Sequence, residues 1–293
     1  MLDFKALEPA IDPSNKITFL VDWELTMKCN LDCSYCGTGI DGGHDNTIPH
    51  PPLDECLPAI DFMFRYVDLY MNTKPQGIRY VILNVYGGES LYHPEIENIL
   101  SKIKQQYQPY KDRWHLTITT TTNAIVSTKK LLKIMPFIDE FTVSYHSEST
   151  QKQKAQFQNN LLLIKQHKKR QKCVVLMHPD TEKFQDATDM IKWLVDNDIP
   201  HLPKQLDHTI KKIEFNYSKN QVGWFKSIYQ AKNYNVNENL IENATVDQNN
   251  QIDLADTGRT CCGGRSLCKD ADYKSRAVFV KNQFPDWSFW KYC

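Results

Sequence analysis

Residues 27–39, MKCNLDCSYCGTG, contain three cysteines that are separated by three and then by two residues. Cys29, Cys33 and Cys36 come directly after KITFLVDWELT (16–26), an apolar run that is typical of a strand. Three thiolates on one short loop can bind three irons of a [4Fe–4S] cluster, because soft sulfur ligands suit iron–sulfur clusters. The spacing therefore predicts a cluster after the first strand, with one iron that receives no cysteine from this loop.

A zinc site is the alternative for the same loop. Structural zinc needs four closed ligands and commonly pairs two C-x2-C units, and nearby only His44 or His50 could complete the set. Unrelated core cysteines would stand among apolar residues, whereas this loop is rich in Asp, Ser, Gly and Asn. Cys56 and Cys173 do stand among apolar residues, and we predict that both are small core residues.

The composition is that of an ordinary globular protein. The 293 residues are 41% hydrophobic and carry a formal net charge of zero, so no DNA partner is expected. No basic segment followed by an apolar run opens the sequence, and apolar runs such as YVILNVY are only as long as a strand. We therefore expect a cytoplasmic protein without a membrane span. The nine cysteines then favour metal binding or catalysis over disulfides.

Strand-like and helix-like patterns alternate along the first two thirds of the chain. Six apolar or β-branched runs are separated by segments with apolar residues at every third or fourth position. This alternation predicts a parallel sheet with helices outside it. Functional sites in such folds gather where the strands end at their carboxyl termini, so the motifs after strands one to four should meet at one edge.

The pattern changes from about residue 210 onward. NYSKNQVGWFKSI predicts a helix with Ser218 as its N-cap, and ATVDQNNQIDLAD predicts a hairpin that turns at 248–250. We therefore expect two units, the sheet and its helices over 1–208 and a smaller extension over 209–293.

The cysteine loop resembles the signature of the radical S-adenosylmethionine (SAM) enzymes. In that family C-x3-C-x2-C follows the first strand of a partial (β/α)6 TIM barrel, and an aromatic residue, here Tyr35, precedes the last cysteine. The resemblance implies that the amino and carboxylate groups of SAM chelate the fourth iron. It also implies that an electron, supplied by a donor such as flavodoxin or ferredoxin, cleaves SAM to methionine and a 5′-deoxyadenosyl radical. This radical would abstract a hydrogen atom from the substrate.

A second motif follows the second predicted strand. YGGES (86–90) resembles the family's GGE motif, although the family more often has proline where Ser90 stands. By this resemblance Gly87, Gly88 and Glu89 bind SAM. Glycines allow the backbone to approach a ligand closely, and a carboxylate can accept a hydrogen bond from the SAM ammonium group.

Three further residues match family positions near SAM. Asn123 ends the third predicted strand, and Ser144 and His146 end the fourth, where the resemblance implies contacts with the SAM ribose or carboxylate. The alternative is that Ser144 only alternates within a strand and that His146 lies in a surface loop. His178, at the end of the fifth strand, is a candidate substrate contact. The resemblance covers about residues 17–208.

A second group of cysteines lies near the end of the sequence. GRTCCGGRSLC and the final cysteine resemble the twitch or SPASM extensions that hold an auxiliary [4Fe–4S] cluster, here in a small α+β unit. Because the side chains of adjacent residues diverge, we expect Cys262, Cys268 and Cys293 as ligands, with Cys261 either a fourth ligand or a neighbour. The alternatives are a zinc knuckle and unligated thiols.

The resemblance also bears on the substrate. Auxiliary-cluster extensions recur in family members that modify peptides or proteins, which favours such a substrate. Rearrangement of a small molecule or nucleotide is the alternative. A non-catalytic iron–sulfur or zinc-binding protein is the alternative from another class, but an electron carrier needs neither YGGES nor a barrel-length chain.

Overall fold

The computed structural model describes residues 16–36, 44–73, 78–206 and 216–231, and two short strands at 245–246 and 252–253. Six strands form one parallel sheet in which neighbours follow the order of the sequence. They are β1 Lys16–Thr26, β2 Ile78–Gly87, β3 His115–Thr122, β4 Glu140–His146, β5 Arg170–Met177 and β6 His201–Gln205. This is the strand order of an incomplete (β/α) barrel, and it confirms the predicted parallel α/β fold.

Helices connect the strands. They are α1 Leu53–Asn72, α2 Ile96–Tyr107, α3 Thr128–Ile134, α4 Gln151–Gln166, α5 Thr181–Asp196 and α6 Lys219–Ala231, with short 3-10 turns at Ser90–Tyr92, Gln108–Tyr110 and Met135–Phe137. The predicted cap of α6 is confirmed, because Gln221 N donates to Ser218 Oγ at 3.3 Å and Ser218 N donates to Gln221 Oε1 at 2.8 Å. No helix in the described part of the chain is long and apolar enough to cross a bilayer.

The main apolar core lies between the helices and one face of the sheet. Alternate strand residues such as Val81, Leu83 and Val85 are buried, as the period of two in a strand requires. Phe19 of β1 packs edge-on against Tyr70 of α1, with ring centroids 4.8 Å apart. Cys56 and Cys173 are buried in this core, which confirms their predicted structural role.

The opposite face of the sheet carries polar side chains that bond across the strands. Asn84 Nδ2 donates to Asp22 Oδ1 at 2.8 Å, and Thr119 Oγ1 donates to Asn84 Oδ1 at 3.3 Å. These residues come from β2, β1 and β3 and occupy non-core positions of the alternation. The sheet therefore has an apolar face toward its helices and a hydrogen-bonded polar face on its other side.

The loop after β3 is fixed by a buried amide. Asn160 of α4 donates from Nδ2 to the carbonyl oxygens of Ala124 and Val126, at 2.7 and 2.8 Å. Asn160 is fully buried, so these bonds satisfy both of its amide hydrogens in the core. They hold the backbone at the edge of the sheet where the predicted site residues lie.

The extension predicted for 209–293 is described only in part. Thr245–Val246 and Ile252–Asp253 pair as antiparallel strands, which agrees with the predicted hairpin, while its turn lies outside the described residues. The boundary between 208 and 209 stays a prediction.

Candidate functional site

The three clustered cysteines lie directly after β1, at the carboxyl edge of the sheet. Cys33 is buried, Cys29 and Cys36 are half-buried, and Cys36 N donates to Cys33 O at 3.0 Å to close a turn between the second and third thiols. They pack with an apolar cluster made of Leu31, Tyr35, Leu176 and Leu206. The loop thus collects three sulfur atoms beside a surface that excludes water.

The acidity of these thiols bears on what they can bind. Burial raises the pKa of Cys29 and of Cys33 to about 12, and the nearby charge of Glu89 adds to the effect on Cys29. Both thiols therefore keep their protons at neutral pH until a metal ion displaces them. Leu31 N lies 3.4 Å from Cys29 Sγ, where it can donate to the thiolate that results. The chemistry of the three donors fits a metal cluster.

Glu89 of the YGGES motif accepts hydrogen bonds from other residues of the chain at this edge of the sheet. Its Oε1 accepts hydrogen bonds from Leu91 N at 2.9 Å and Thr122 Oγ1 at 2.7 Å, and its Oε2 accepts from Asn123 N at 2.6 Å. The residue is 1% exposed. Burial raises the pKa of Glu89, and the three donors oppose that rise. The carboxylate braces the end of β3 against the end of β2.

Asn123 connects Glu89 to the cysteine loop through hydrogen bonds. Its Nδ2 donates to Asn30 Oδ1 at 2.7 Å and lies 3.8 Å from Cys29 Sγ. Asn30 in turn donates from Nδ2 to Ile125 O at 2.6 Å. A chain of hydrogen bonds therefore runs from the GGE motif through Asn123 to the residue that follows the first cysteine.

The two glycines of the motif allow backbone strands to approach closely. Gly87 has φ +149°, and a Cβ atom there would lie 2.1 Å from Thr26 O. A Cβ atom on Gly88 would lie 2.5 Å from the carbonyl oxygens of both Met27 and Lys28. Gly88 N donates to Thr26 O at 2.7 Å, and Glu89 N donates to Lys28 O at 2.8 Å. The backbone that leads into Cys29 is thus fixed against the end of β2.

His146 holds the other side of the loop. Its Nδ1 lies 3.4 Å from Cys33 Sγ and 2.8 Å from the Tyr35 hydroxyl, and the imidazole and phenol rings stack with centroids 6.0 Å apart. Burial lowers the pKa of His146 to about 4. The imidazole is therefore neutral at neutral pH. His146 is part of β4 and contacts the cysteine loop, so the alternative of a surface-loop residue is wrong.

Ser144 and His178 lie near the same edge. Ser144 occupies β4 two residues before His146, on the same face and half-buried. The His178 ring lies 6.1 Å from the Tyr35 ring. The structure therefore gathers the ends of β4 and β5 around Tyr35.

Glu148 is a site residue that belongs to none of the sequence motifs. It follows β4, and its two carboxylate oxygens accept from Ser34 N and Ser34 Oγ, each at 2.6 Å. Lys183 Nζ also donates to this carboxylate. The only sequence signal was the polar segment VSYHSES, which ends with Glu148 and Ser149. The contact spans 114 residues along the chain, which local patterns do not reveal.

The residues of the zinc alternative have other partners. His44 Nε2 lies 3.3 Å from Asp32 Oδ1, and His50 Nδ1 lies 2.8 Å from Thr26 Oγ1. Within the described ranges, no three His, Cys, Asp or Glu side chains are grouped around a point that could hold a single metal ion. The predicted auxiliary ligands lie outside the described residues, namely Cys261, Cys262, Cys268 and Cys293.

A cleft of about 560 Å³ borders the cysteine loop. Its lining combines polar and apolar side chains from the segments that follow β1, β2 and β3, among them Asn30, His50, Tyr92, Ile125, Ser127 and Lys130. Lys130 Nζ donates to the carbonyl oxygens of Tyr92 and His93, at 3.2 and 2.8 Å. The cleft is thus built from the same three strand ends that hold Cys29.

We expect His50 to make the stability of the metal-free protein depend on pH. Burial, and then the charges of His93 and Lys28, lower the pKa of His50 from 6.5 to about 4. Between these values the unfolded chain binds a proton that the folded protein does not, so the free energy of unfolding should decrease as the pH falls from about 6.5 to about 4.

Urea denaturation at both ends of this pH range tests the expectation. His50→Asn keeps an amide near Thr26 and cannot titrate, so its loss of stability on acidification should be smaller than that of the wild type. His115→Asn, at the exposed start of β3, should behave as the wild type does. If His50→Asn lost as much stability on acidification as the wild type, other groups would cause the acid sensitivity.

Of three comparisons with known proteins, one found matches. No family model and no curated protein matches the sequence. Solved structures do match, among them hexahistidine-tagged anSMEcpe, an anaerobic sulfatase-maturating radical SAM enzyme, with bound AdoMet, at 14% identity and a TM-score of 0.52. Native anSMEcpe with AdoMet, and the same enzyme with AdoMet and Cp18Cys peptide, each match at 14% identity and a TM-score of 0.51.

Each of these alignments covers 74% of this chain and 62% of the neighbour, so the present chain corresponds to less than two thirds of the neighbour's length. At this identity the similarity concerns the fold. It agrees with the six-stranded parallel sheet and its connecting helices. The chain therefore has the fold of these radical SAM enzyme structures.

Proposed function

We propose that this chain is a radical SAM enzyme in which Cys29, Cys33 and Cys36 bind a [4Fe–4S] cluster. The observation that carries the proposal is the position of the three-cysteine loop, which is fixed between the end of β2 and His146 at the end of β4. The fold of neighbours with bound AdoMet supports it. The three thiols leave one iron of a cube without a ligand from the loop, and SAM would chelate that iron.

When bound, the cluster supplies the electron that cleaves SAM to methionine and a 5′-deoxyadenosyl radical. The residues of the chain would bind and orient the cluster and SAM, and would exclude water from them. Gly87 and Gly88 allow the backbone to approach the cysteine loop closely. The apolar cluster of Leu31, Tyr35, Leu176 and Leu206 packs against the three cysteines and limits the access of water to them, which strengthens the electrostatic interactions among the groups there.

The SAM-binding residues we propose are those named from the sequence. Gly87, Gly88 and Glu89 would lie beside the methionine part of SAM, where Glu89 Oε2 receives a single hydrogen bond among those described and so has capacity for another. Asn123, directly after β3, would also lie near SAM. Ser144 and His146 of β4 and Tyr35 of the cysteine loop would also bind SAM.

For the substrate we propose a peptide or protein. One structural neighbour contains AdoMet together with the Cp18Cys peptide, and the C-terminal cysteines resemble an extension found in peptide-modifying family members. Cys262, Cys268 and Cys293, with Cys261 as a fourth ligand or a neighbour, would hold an auxiliary [4Fe–4S] cluster in that extension. The electron would come from flavodoxin or ferredoxin in the cytoplasm. Rearrangement of a small molecule or nucleotide is the second candidate.

Release of 5′-deoxyadenosine tests the proposed chemistry. The purified chain is reconstituted anaerobically with iron and sulfide and incubated with SAM and dithionite, and the products are separated by chromatography. We expect 5′-deoxyadenosine from the wild type and none from a variant with alanine in place of Cys29, Cys33 and Cys36. A wild-type protein that binds iron and sulfide but releases no 5′-deoxyadenosine would instead be an electron carrier or another binding protein.

The number of irons tests the second cluster separately. One cubane accounts for about four irons per chain and two cubanes for about eight. We expect about eight in the wild type and about four after Cys262 and Cys268 are replaced by alanine. About four irons in both proteins would contradict the auxiliary cluster and leave the first site unaffected.

A further inference from the structure

The carboxylate of Glu148 connects three parts of the structure at the cysteine loop. It accepts from the backbone N–H and from the hydroxyl of Ser34, each at 2.6 Å, and from the Lys183 ammonium group. Glu148 follows β4, and Lys183 lies in the first turn of α5. The Glu148 side chain is 14% exposed, whereas Ser34, which donates both hydrogen bonds from the loop, is exposed.

Ser34 lies between the second and third cysteines. Both of its donors bind to Glu148, and the turn that contains it is closed by the hydrogen bond from Cys36 N to Cys33 O at 3.0 Å. Two bonds to one carboxylate restrict both the backbone and the side chain of this residue. Hydrogen bonds to a charged acceptor are about twice as strong as neutral ones. The separation between Cys33 and Cys36 is therefore set in part by a residue far from them in sequence.

The charges of Glu148 and Lys183 also lie close to a predicted ligand. The Glu148 carboxylate accepts two hydrogen bonds from Ser34, the residue directly after Cys33. Lys183 is paired with that carboxylate and offsets its charge. The reduction potential of an iron–sulfur cluster depends on the net charge around it, so each member of the pair should affect the potential with opposite sign.

We propose that Glu148 is a positioning residue that holds the Cys33–Cys36 turn in its metal-binding conformation, and that its pairing with Lys183 balances the charge beside the cluster. The second half rests on the proposed function. The first half concerns the geometry of the loop and can be tested without metal.

Hydrogen–deuterium exchange of the metal-free full chain tests the positioning. In Glu148→Gln the charge is lost, and we expect the amide of Ser34 to exchange about tenfold faster than in the wild type. Glu97→Gln is the matched control, because Glu97 of α2 forms an exposed ion pair with Lys133 of α3 at 3.1 Å. This control variant should leave the amide exchange rates of the cysteine loop unchanged. Equal exchange in Glu148→Gln and the control would overturn the positioning role.

Redox titration of the reconstituted protein, monitored by electron paramagnetic resonance, tests the charge balance. The signal that responds to SAM is followed, so an auxiliary cluster does not interfere. Glu148→Gln should raise the midpoint potential, Lys183→Met should lower it, and the double variant should return toward the wild type. If the midpoint potentials of both single variants shifted in the same direction, or did not shift, the proposed charge balance would be wrong.

The two measurements separate the inference from the function on which it rests. A wild-type protein without any SAM-responsive signal would contradict the proposed function and the charge balance together, while the exchange experiment would still decide the positioning role. A SAM-responsive wild type with unchanged variants would contradict only the role of Glu148 and Lys183.

Discussion

Replacing Gly88 by alanine is expected to prevent binding of the proposed iron–sulfur cluster and the proposed release of 5′-deoxyadenosine. The new methyl group would lie 2.5 Å from the carbonyl oxygens of Met27 and Lys28, well inside the contact distance of carbon and oxygen. These oxygens belong to backbone that cannot turn away as a side chain could. The segment directly before Cys29 must therefore move, and with it the first thiol.

Gly88→Ala should lower the free energy of unfolding through overpacking and through lost hydrogen bonds. Overpacking alone typically costs about 1–3 kcal/mol, and the bond from Glu89 N to Lys28 O, now 2.8 Å, would be strained as well. Gly87→Ala should be at least as harmful, because its φ of +149° disfavours any side chain and the clash distance is 2.1 Å. Both variants should lose iron and unfold at lower urea concentration.

Gly223→Ala provides the matched control for the glycine variants. Gly223 lies in α6, and a Cβ atom there meets nothing within 4 Å. Alanine should stabilise this helix by about 0.5–1 kcal/mol and leave the iron content unchanged. If Gly88→Ala bound as much iron as Gly223→Ala, the close approach of β2 to the cysteine loop would not matter for the site.

Replacing Glu89 by alanine is expected to reduce the free energy of unfolding of the metal-free protein by about 3–5 kcal/mol. The variant would leave three donors without their acceptor in a buried place: Leu91 N, Thr122 Oγ1 and Asn123 N. Each buried donor that loses its partner costs about 1–3 kcal/mol. Urea denaturation of the metal-free chain measures the loss, with Glu97→Gln on the surface of α2 as the control.

Glu89→Gln separates the bracing role from a role in binding SAM. Glutamine keeps one carbonyl oxygen, so it should lose less stability than alanine does. A Glu89→Ala variant with wild-type stability but without SAM binding would assign the carboxylate to the ligand alone, as the family resemblance implies, and would contradict the brace.

The fold was largely predictable because it depends on local patterns. Apolar or β-branched runs identified five strands, and their order follows from parallel strands joined by helices. The sixth strand was weaker in sequence because it contains Pro203, but β6 is an edge of the sheet, where proline is tolerated. The short helix α3 starts at Thr128 because the Ser127 side chain caps it by accepting a hydrogen bond from Lys130 N.

The site was predictable only where its residues form short motifs. The cysteine loop and YGGES are recognisable in sequence because their spacing along the chain is itself the signal. The bonds of Asn30 to Asn123 and of Ser34 to Glu148 join residues 93 and 114 positions apart. Such contacts depend on how the loops are placed on the sheet, which periodicity does not encode. The brace formed by Glu89 was missed for the same reason.

The most direct test of the central claim is electron–nuclear double resonance of the reduced protein with labelled SAM. We expect hyperfine coupling from the ¹⁵N-labelled amino group and the ¹⁷O-labelled carboxylate of SAM to a cluster held by Cys29, Cys33 and Cys36. Coupling from a protein nitrogen or oxygen at the fourth iron, with none from labelled SAM, would contradict it.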